Sequence, residues 1–403
     1  MPGQPVSSVV MDILGDLQHL LAFMNSSAWQ ERQGDPSISD FVFGNPHEMP
    51  IPELSEALRR WSVPRDPNWF AYKFNEPEAV QTVVRSLKEQ RGVEFQPDDV
   101  FLTTGAFAGL LTCLRVIVEP GDEVIFISPP WFFYGPLIKM TGGRYVRVNA
   151  EPPAFELPVD RIRDAMSDRT RAVIVNTPNN PSGRIYRSQE LDALAQVLRE
   201  RSEANGRTVY LISDEAYCKI VYDGRRFESP TEHYDSSFLV YTYGKTLLTP
   251  GARMGYIALP PTMPDREMLR MGIFLAQAAG GWLFPNAVLQ YAIGDIEQLS
   301  IDVGHLQEKR DRLCAALGEM GYEVTVPEGT FYVMVRSPWE DDEAFSELLT
   351  THDIFVLPGT IVELPGFFRI SLTASDEMIE RALPGFEVAL KEAGRNGPPT
   401  PGP

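Results

Sequence analysis

Positive charge is in short supply in this chain: 36 Lys and Arg stand against 55 Asp and Glu, for a formal net charge of −19. That balance repels a phosphate backbone and an anionic lipid surface, which argues against general nucleic-acid binding and membrane adhesion but leaves room for a local basic pocket. Cysteine is scarce too. Cys113, Cys218 and Cys314 lie far apart without CxxC spacing, so they read as reduced core residues. The histidines, His19, His47, His233, His305 and His352, fall at no triad or metal-ligand spacing, and no metal is expected. Apolar runs stay short: the stretch around Phe101–Val118 is broken by Thr, Arg and Gly before the roughly 18 residues a membrane helix needs. Met1 to Met11 shows neither a basic start nor a continuous apolar stretch, so no secretory signal is expected and the reading is a soluble cytoplasmic protein. G-x-x-x-x-G-K-[ST], G-x-G-x-x-G and G-x-S-x-G are all missing, which removes the main support for a P-loop hydrolase, a Rossmann dehydrogenase or an α/β-hydrolase.

What is present is ordinary globular composition, 43% hydrophobic and 23% charged over 403 residues, enough chain for two or three domains of about 150 residues each. From about Asp98 to Pro260, short β-rich runs alternate with helical ones, as in an α/β sheet of parallel strands. The expected strands are Val100–Thr103, Glu123–Ser128, Tyr145–Val148, Ala172–Asn176, Val209–Ser213, Phe238–Thr242 and Met254–Leu259, with helices at Ala106–Val118 and Gln189–Glu203. Beyond the Gly/Pro-punctuated segment Ala279–Pro285, the pattern changes to an α+β one: a helix Leu299–Met320, strands Thr330–Val335, Phe355–Leu357 and Phe367–Ser371, and helices at Glu343–Thr350 and Asp376–Lys391. The resulting division is an N-terminal arm (1–45) with an amphipathic stretch at Ile13–Met24, a large domain (46–285), a small domain (286–392) and a disordered Gly/Pro-rich tail (393–403).

Polar groups recur in order at the ends of successive strands: Asn180 in NTPNNPSG, Asp214 and Tyr217 in SDEAY, then Lys245 and Arg253 in YTYGKTLLTPGARMGY. Ligands of open α/β sheets bind outside the carboxyl ends of the strands, so an anion, an amine and a cationic clamp would share one crevice. These motifs, in this order and at these intervals from about Gly44 to Leu390, resemble the class I/II aminotransferases, pyridoxal-phosphate (PLP) enzymes of the aspartate-aminotransferase fold, fold type I. The resemblance implies a mostly parallel seven-stranded sheet sandwiched by helices in the large domain, and a smaller α+β C-terminal domain.

It also implies roles. Lys245 matches the Schiff-base lysine, which shuttles a proton once freed by the substrate amine. Asp214 matches the carboxylate that keeps the pyridine nitrogen protonated, so the ring can act as an electron sink. Tyr217 and Asn180 resemble the pair that donates hydrogen bonds to the cofactor's O3′. Arg253 and Thr242 resemble phosphate ligands, joined by the N–H groups of Ala106 and Phe107 after Gly105, where a strand gives way to a helix. Many family members have a hydroxyl residue where Ala106 stands. Trp131, in SPPWFFYG, matches the aromatic stacked on the pyridine ring. Arg369, in FFRISL, matches the arginine that clamps the substrate α-carboxylate, and Gly44 the glycine whose backbone contacts that carboxylate. Tyr72 resembles the tyrosine that reaches the phosphate in the neighbouring subunit, which implies a homodimer with shared active sites, although Asn75-Glu76-Pro77 departs from the usual Gly-rich continuation.

The expected reaction is transfer of the α-amino group of an L-amino acid to a 2-oxo acid by a ping-pong mechanism. Aspartate-preferring relatives carry a basic residue in the segment equivalent to Ala276–Pro285 or near the phosphate turn; here AQAAGGWLFP and Phe107 occupy those places. Trp282, Phe284, Phe107 and the Trp131–Tyr134 cluster suggest an apolar or aromatic pocket and a neutral or aromatic donor; the alternative reading is that most of these aromatics pack a dimer core, with Lys73, Lys139 or another cation entering from the partner subunit. The same scaffold also supports a lyase, cyclase or synthase, which would release product without a keto-acid acceptor. A non-catalytic sensor fused to a DNA-binding module would need a basic N-terminal domain of about 60–80 residues, in place of the arm that precedes Pro46 here.

Overall fold

The computed structural model describes residues 5–396. Its central sheet has seven strands in the spatial order Val100–Thr103, Gly255–Ala258, Ser237–Thr242, Tyr210–Asp214, Thr170–Asn176, Glu123–Ser128 and Arg144–Asn149. Gly255–Ala258 runs antiparallel to both neighbours, and the other pairs are parallel. The apolar runs of these strands are explained by burial on both faces. Val124, Phe126 and Ile174 pack against the helix Ala106–Ile117, while Ile125, Ile127, Val173 and Val175 face the helix Ser188–Asn205 on the opposite side. Register aligns the strand ends: Asn176 pairs with Asp214, and Asp214 with Val240. Side chains that follow these positions necessarily converge above one sheet edge.

The C-terminal part carries a four-stranded antiparallel sheet in the order Leu357–Pro358, Phe367–Ser371, Tyr332–Arg336, Val324–Thr325. Helices Val303–Met320, Asp342–Thr350 and Asp376–Asn396 cover it around a core of Phe331, Phe345, Phe368 and Phe386. Three expectations need correction here. The single strand at Phe355–Leu357 is two: Ile354–Phe355 pairs in parallel with Ser39–Asp40 of the arm, whereas Leu357–Pro358 joins the small sheet. The long helix starts at Val303 rather than Leu299, because the Asp302 side chain caps it by accepting from the His305 N–H at 2.9 Å. The tail expected to be disordered from residue 393 is helical as far as Asn396: Ala393 is buried, and its carbonyl accepts from Trp339 Nε1 at 3.2 Å. Residues 397–403 of that tail lie outside the described residues.

Helices Pro52–Trp61, Pro77–Arg91, Arg266–Gly280 and Ala287–Ile296 had no counterpart in the sequence reading. The arm folds into helices Ser8–Asp16, Gln18–Ser26 and Ala28–Arg32. Asp16 fixes it to the region of the seven-stranded sheet, with Lys139 Nζ at 2.5 Å and the Tyr145 hydroxyl at 3.0 Å. Among the described residues, no helix is long and apolar enough to cross a membrane.

Candidate active site

A cavity of about 400 Å³ opens where the parallel strands end and the C-terminal sheet approaches. Gly44, Ala106, Phe107, Trp131, Asn180, Asp214, Tyr217, Thr242, Lys245, Arg253 and Arg369, all named from the sequence, line it together. Gly105 stands just behind them as the N-cap of the Ala106–Ile117 helix. Tyr72 does not line this cavity; it is 83% exposed, its ring tilted against that of Phe284 at 4.7 Å. Trp282 and Phe284, expected in the substrate pocket, do not line it either: Trp282 Nε1 turns to the Thr112 hydroxyl at 3.1 Å.

Asp214 ends its strand as a buried carboxylate. It accepts from the Tyr134 hydroxyl at 2.6 Å and from the Ala216 N–H at 3.3 Å. Burial pushes its pKa up to about 6; these two donors and Lys245 oppose the rise, and the neighbouring Glu215 adds to it. A buried carboxylate held this way calls for a cation in the cavity. Asn176 braces the strand end, its amide donating to the Asp214 carbonyl at 2.9 Å while its Oδ1 receives the Asn180 N–H at 2.7 Å. Behind them Glu215 is fully buried and pairs with Arg91, whose side chain is itself nearly inaccessible, and the Ser213 hydroxyl donates to it at 2.9 Å.

Lys245 sits on the one-turn helix Tyr243–Thr246, capped by Thr242, whose Oγ1 accepts from the Gly244 N–H at 3.3 Å and donates to the Met254 carbonyl at 3.1 Å. Its Nζ lies 5.8 Å from the Tyr217 ring centroid and 5.6 Å from that of Phe331. Nearby, Gly105 takes φ +85°, and a Cβ there would lie 2.9 Å from Arg253 Nη2. Glycine thus lets the guanidinium close against the helix N-terminus, donating to the Thr104 carbonyl at 3.1 Å and the Pro250 carbonyl at 2.9 Å. Free N–H groups, the helix dipole and a guanidinium make an anion cradle.

Arg369 is only 2% exposed, and burial lowers its pKa from the ordinary value. Nη1 donates to Asn180 Oδ1 at 3.0 Å and Nη2 to the Val42 carbonyl at 3.0 Å, while Nε has no partner among the described residues. An orphaned donor on a buried cation fits a carboxylate ligand. Tyr332 lies beneath the guanidinium, its ring centroid 3.9 Å away. Tyr332 and Asn176 carry no signal for this site in the sequence, and Tyr134 carries none for its contact with Asp214. Tyr134 was legible only as one aromatic in WFFY, and Tyr332 follows a Phe in a strand that reads as core.

The donor set therefore fits PLP: a buried carboxylate needing a cation, a primary amine, and a phosphate-sized cradle at a helix end. Comparison with known proteins agrees. The family model for aminotransferase class I and II matches residues 37–386. An aspartate/prephenate aminotransferase of Thermus thermophilus is 28% identical over 383 residues, covering 92% of this chain and 95% of that protein. An aromatic-amino-acid aminotransferase of Thermococcus litoralis is 25% identical over 380 residues, covering 89% and 93%. Among solved structures, an amino transferase from Eubacterium rectale superposes with a TM-score of 0.88 at 28% identity, over 97% of this chain and 99% of that one. The chain belongs to the class I and II aminotransferases and is a pyridoxal-phosphate-dependent enzyme.

Proposed function

We propose that the protein transfers the α-amino group of a neutral or aromatic L-amino acid to a 2-oxo acid in the two half-reactions of a ping-pong cycle. One observation carries the reading: Lys245, Asp214 and Arg369 converge on a single cavity that has an apolar side formed by Leu20, Met24, Phe43, Phe107, Phe132 and Phe133.

When bound, the cofactor supplies an aldehyde for the amino group and a ring that withdraws electrons from the substrate α-carbon. Arg253 and the N–H groups of Ala106 and Phe107 would hold its phosphate, Asp214 its ring nitrogen, Asn180 and Tyr217 its ring oxygen, and Trp131 its face. Lys245 Nζ anchors it and then takes and returns the proton of the α-carbon. Arg369, flattened between Asn180 and the Val42 carbonyl, receives the substrate α-carboxylate, with the Gly44 backbone beside it.

Among the described residues lining the cavity, the lysines and arginines are Lys245, Arg253 and Arg369, and each has a task in this scheme. A distal carboxylate would stay unpaired in an apolar pocket, at a cost of several kcal/mol. This supports a neutral or aromatic donor over the aspartate named for several relatives.

A homodimer is part of the same reading. Tyr72, Phe74, Met268, Met271 and Leu275 form an exposed apolar surface, and Tyr72 stands clear of its own cavity. A panel of amino acids mixed with the PLP-loaded protein tests the reading: phenylalanine, tyrosine or leucine should bleach the visible band faster than aspartate, and a 2-oxo acid should restore it. Faster bleaching by aspartate would overturn the substrate class and leave the cofactor assignment standing.

A further inference from the structure

Lys245 rides on a single turn of helix, Tyr243–Thr246. A lone turn fixes several backbone dihedrals in return for few hydrogen bonds, so its orientation depends on what grips it from outside. Glu297 supplies such a grip. It caps the C-terminal end of helix Ala287–Ile296, is 2% exposed and has no part in the scheme above. The Tyr243 hydroxyl donates to its Oε2. Its Oε1 accepts from Lys219 Nζ at 2.9 Å and from the Ser86 hydroxyl at 2.6 Å, and Lys219 Nζ also donates to the Glu297 carbonyl at 3.0 Å. A little further along the chain, the Ile301 N–H donates to the Thr246 carbonyl at 2.9 Å. Residues 297–301 therefore hold both ends of the turn that carries the reactive amine.

We propose that Glu297 is a positioning residue for Lys245: its buried carboxylate ties the turn that carries the amine, through Tyr243, to the turn that carries Tyr217, through Lys219. The inference rests on reading Lys245 as the proton carrier. Lys219 lies in the same turn as Tyr217, directly after the strand that ends in Asp214. One carboxylate thus spans the segments that set the distance between Lys245 and the groups assigned to the cofactor ring. An ionised acceptor suits this place, since it neutralises the largely buried Lys219 and makes stronger bonds to the two hydroxyls than a neutral oxygen would. The carboxylate clamp is held separately: Arg369 bonds to Asn180 and the Val42 carbonyl. Loosening Glu297's grip should accordingly slow proton transfer and spare substrate binding.

Replacing Glu297 would strand Lys219 as a buried cation, so the test falls on its partners. Tyr243→Phe removes the hydroxyl that reaches Glu297 and keeps the ring, which packs edge-on against Tyr241 at 5.2 Å. Ser86→Ala removes a different hydrogen bond from the same carboxylate, on a helix that carries none of the site residues. In the PLP-loaded protein, bleaching of the visible band is followed with the fastest of phenylalanine, tyrosine, leucine and aspartate, in α-protio and α-deuterio forms. Tyr243→Phe should lower the rate at saturation by about 10- to 100-fold, the scale of a misplaced catalytic group. The half-saturating concentration should stay within about twofold of the parent's. Its deuterium isotope effect should be at least as large as the parent's, because proton transfer is the step that has slowed. Ser86→Ala should match the parent in rate and isotope effect, even where it melts lower. A parental rate in Tyr243→Phe, a slowed rate with a diminished isotope effect, or equal slowing in both variants overturns the proposal. Lys245→Ala bleaching at the parental rate would instead sink the reading of Lys245 itself, and the proposal with it.

Discussion

The Tyr134 hydroxyl donates to Oδ2 of Asp214 across 2.6 Å, away from solvent. Burial drives the Asp214 carboxyl towards its neutral form, and this hydrogen bond is the strongest influence holding it ionised. Removing the hydroxyl in Tyr134→Phe should therefore weaken the carboxylate's hold on a cationic ring nitrogen. A hydrogen bond to a charged group contributes about 1.5–3 kcal/mol, so PLP affinity should fall by about 10- to 100-fold. Titration of the apoprotein with PLP by tryptophan fluorescence checks this, and an unchanged Kd would contradict it.

Asp214 also sets a pH dependence. Its folded pKa of about 6 lies above the ordinary 3.8, so its contribution to stability is fully present below about pH 4 and is lost as pH rises through about 6. Ionised and unpaired at pH 8, the buried carboxylate costs the apoprotein on the order of 3 kcal/mol. Apo Asp214→Asn should melt above the apo parent at pH 8, and the two should converge near pH 4. Adding PLP should close the gap at pH 8, since only the parent gains a charge partner. A parent that is the more stable of the two at pH 8 without cofactor would refute this.

Arg91 and Glu215 form a buried ion pair behind the active-site turn, with the Ser213 and Ser229 hydroxyls completing the carboxylate's hydrogen bonds. Arg91→Met leaves a buried anion without its cation and should cost about 3–5 kcal/mol, read from urea unfolding midpoints. A loss below about 1 kcal/mol would place the pair with ordinary surface bridges.

Gly44 has no room for a side chain: a Cβ there would come within 2.6 Å of both Phe331 Cε2 and the Tyr332 hydroxyl, two rigid aromatics. Gly44→Ala should shift the strand that frames Arg369 and lower kcat/KM by about 10- to 100-fold, with the protein still folded. Steady-state kinetics beside a thermal melt distinguish this from unfolding.

Subunit mixing tests the shared site. Lys245→Ala and Tyr72→Ala should each be impaired alone, yet random reassociation should restore activity to about a quarter of the parental sites, because each heterodimer holds one intact site. No recovery on mixing would assign Tyr72 to its own subunit or to surface packing.

The grouping of these residues in one cavity was legible because each motif follows a strand of a mostly parallel sheet, and such a sheet places successive strand ends side by side. Asn180, Asp214 and Lys245 could be named for that reason, as could Arg253 and Arg369. Partners approaching from elsewhere were not legible. Tyr134 reaches Asp214 over 80 residues and Arg369 reaches Asn180 over 189, distances at which no periodicity carries information. The Phe355–Leu357 run illustrates the limit: its composition predicts a strand but cannot say that its two ends serve different sheets.

By itself, the sequence determined the alternation of strands and helices and the order of the lysine, carboxylate and arginines along the chain, because these follow from local pattern and residue chemistry. Only the tertiary structure decided which groups are buried together: that Asp214 leans on Tyr134, that Arg369 rests on Tyr332, and that the arm brings Leu20 and Met24 into the cavity wall. Burial and charge coupling depend on what chain folding brings within a few ångströms, and that proximity is set by packing across the whole molecule.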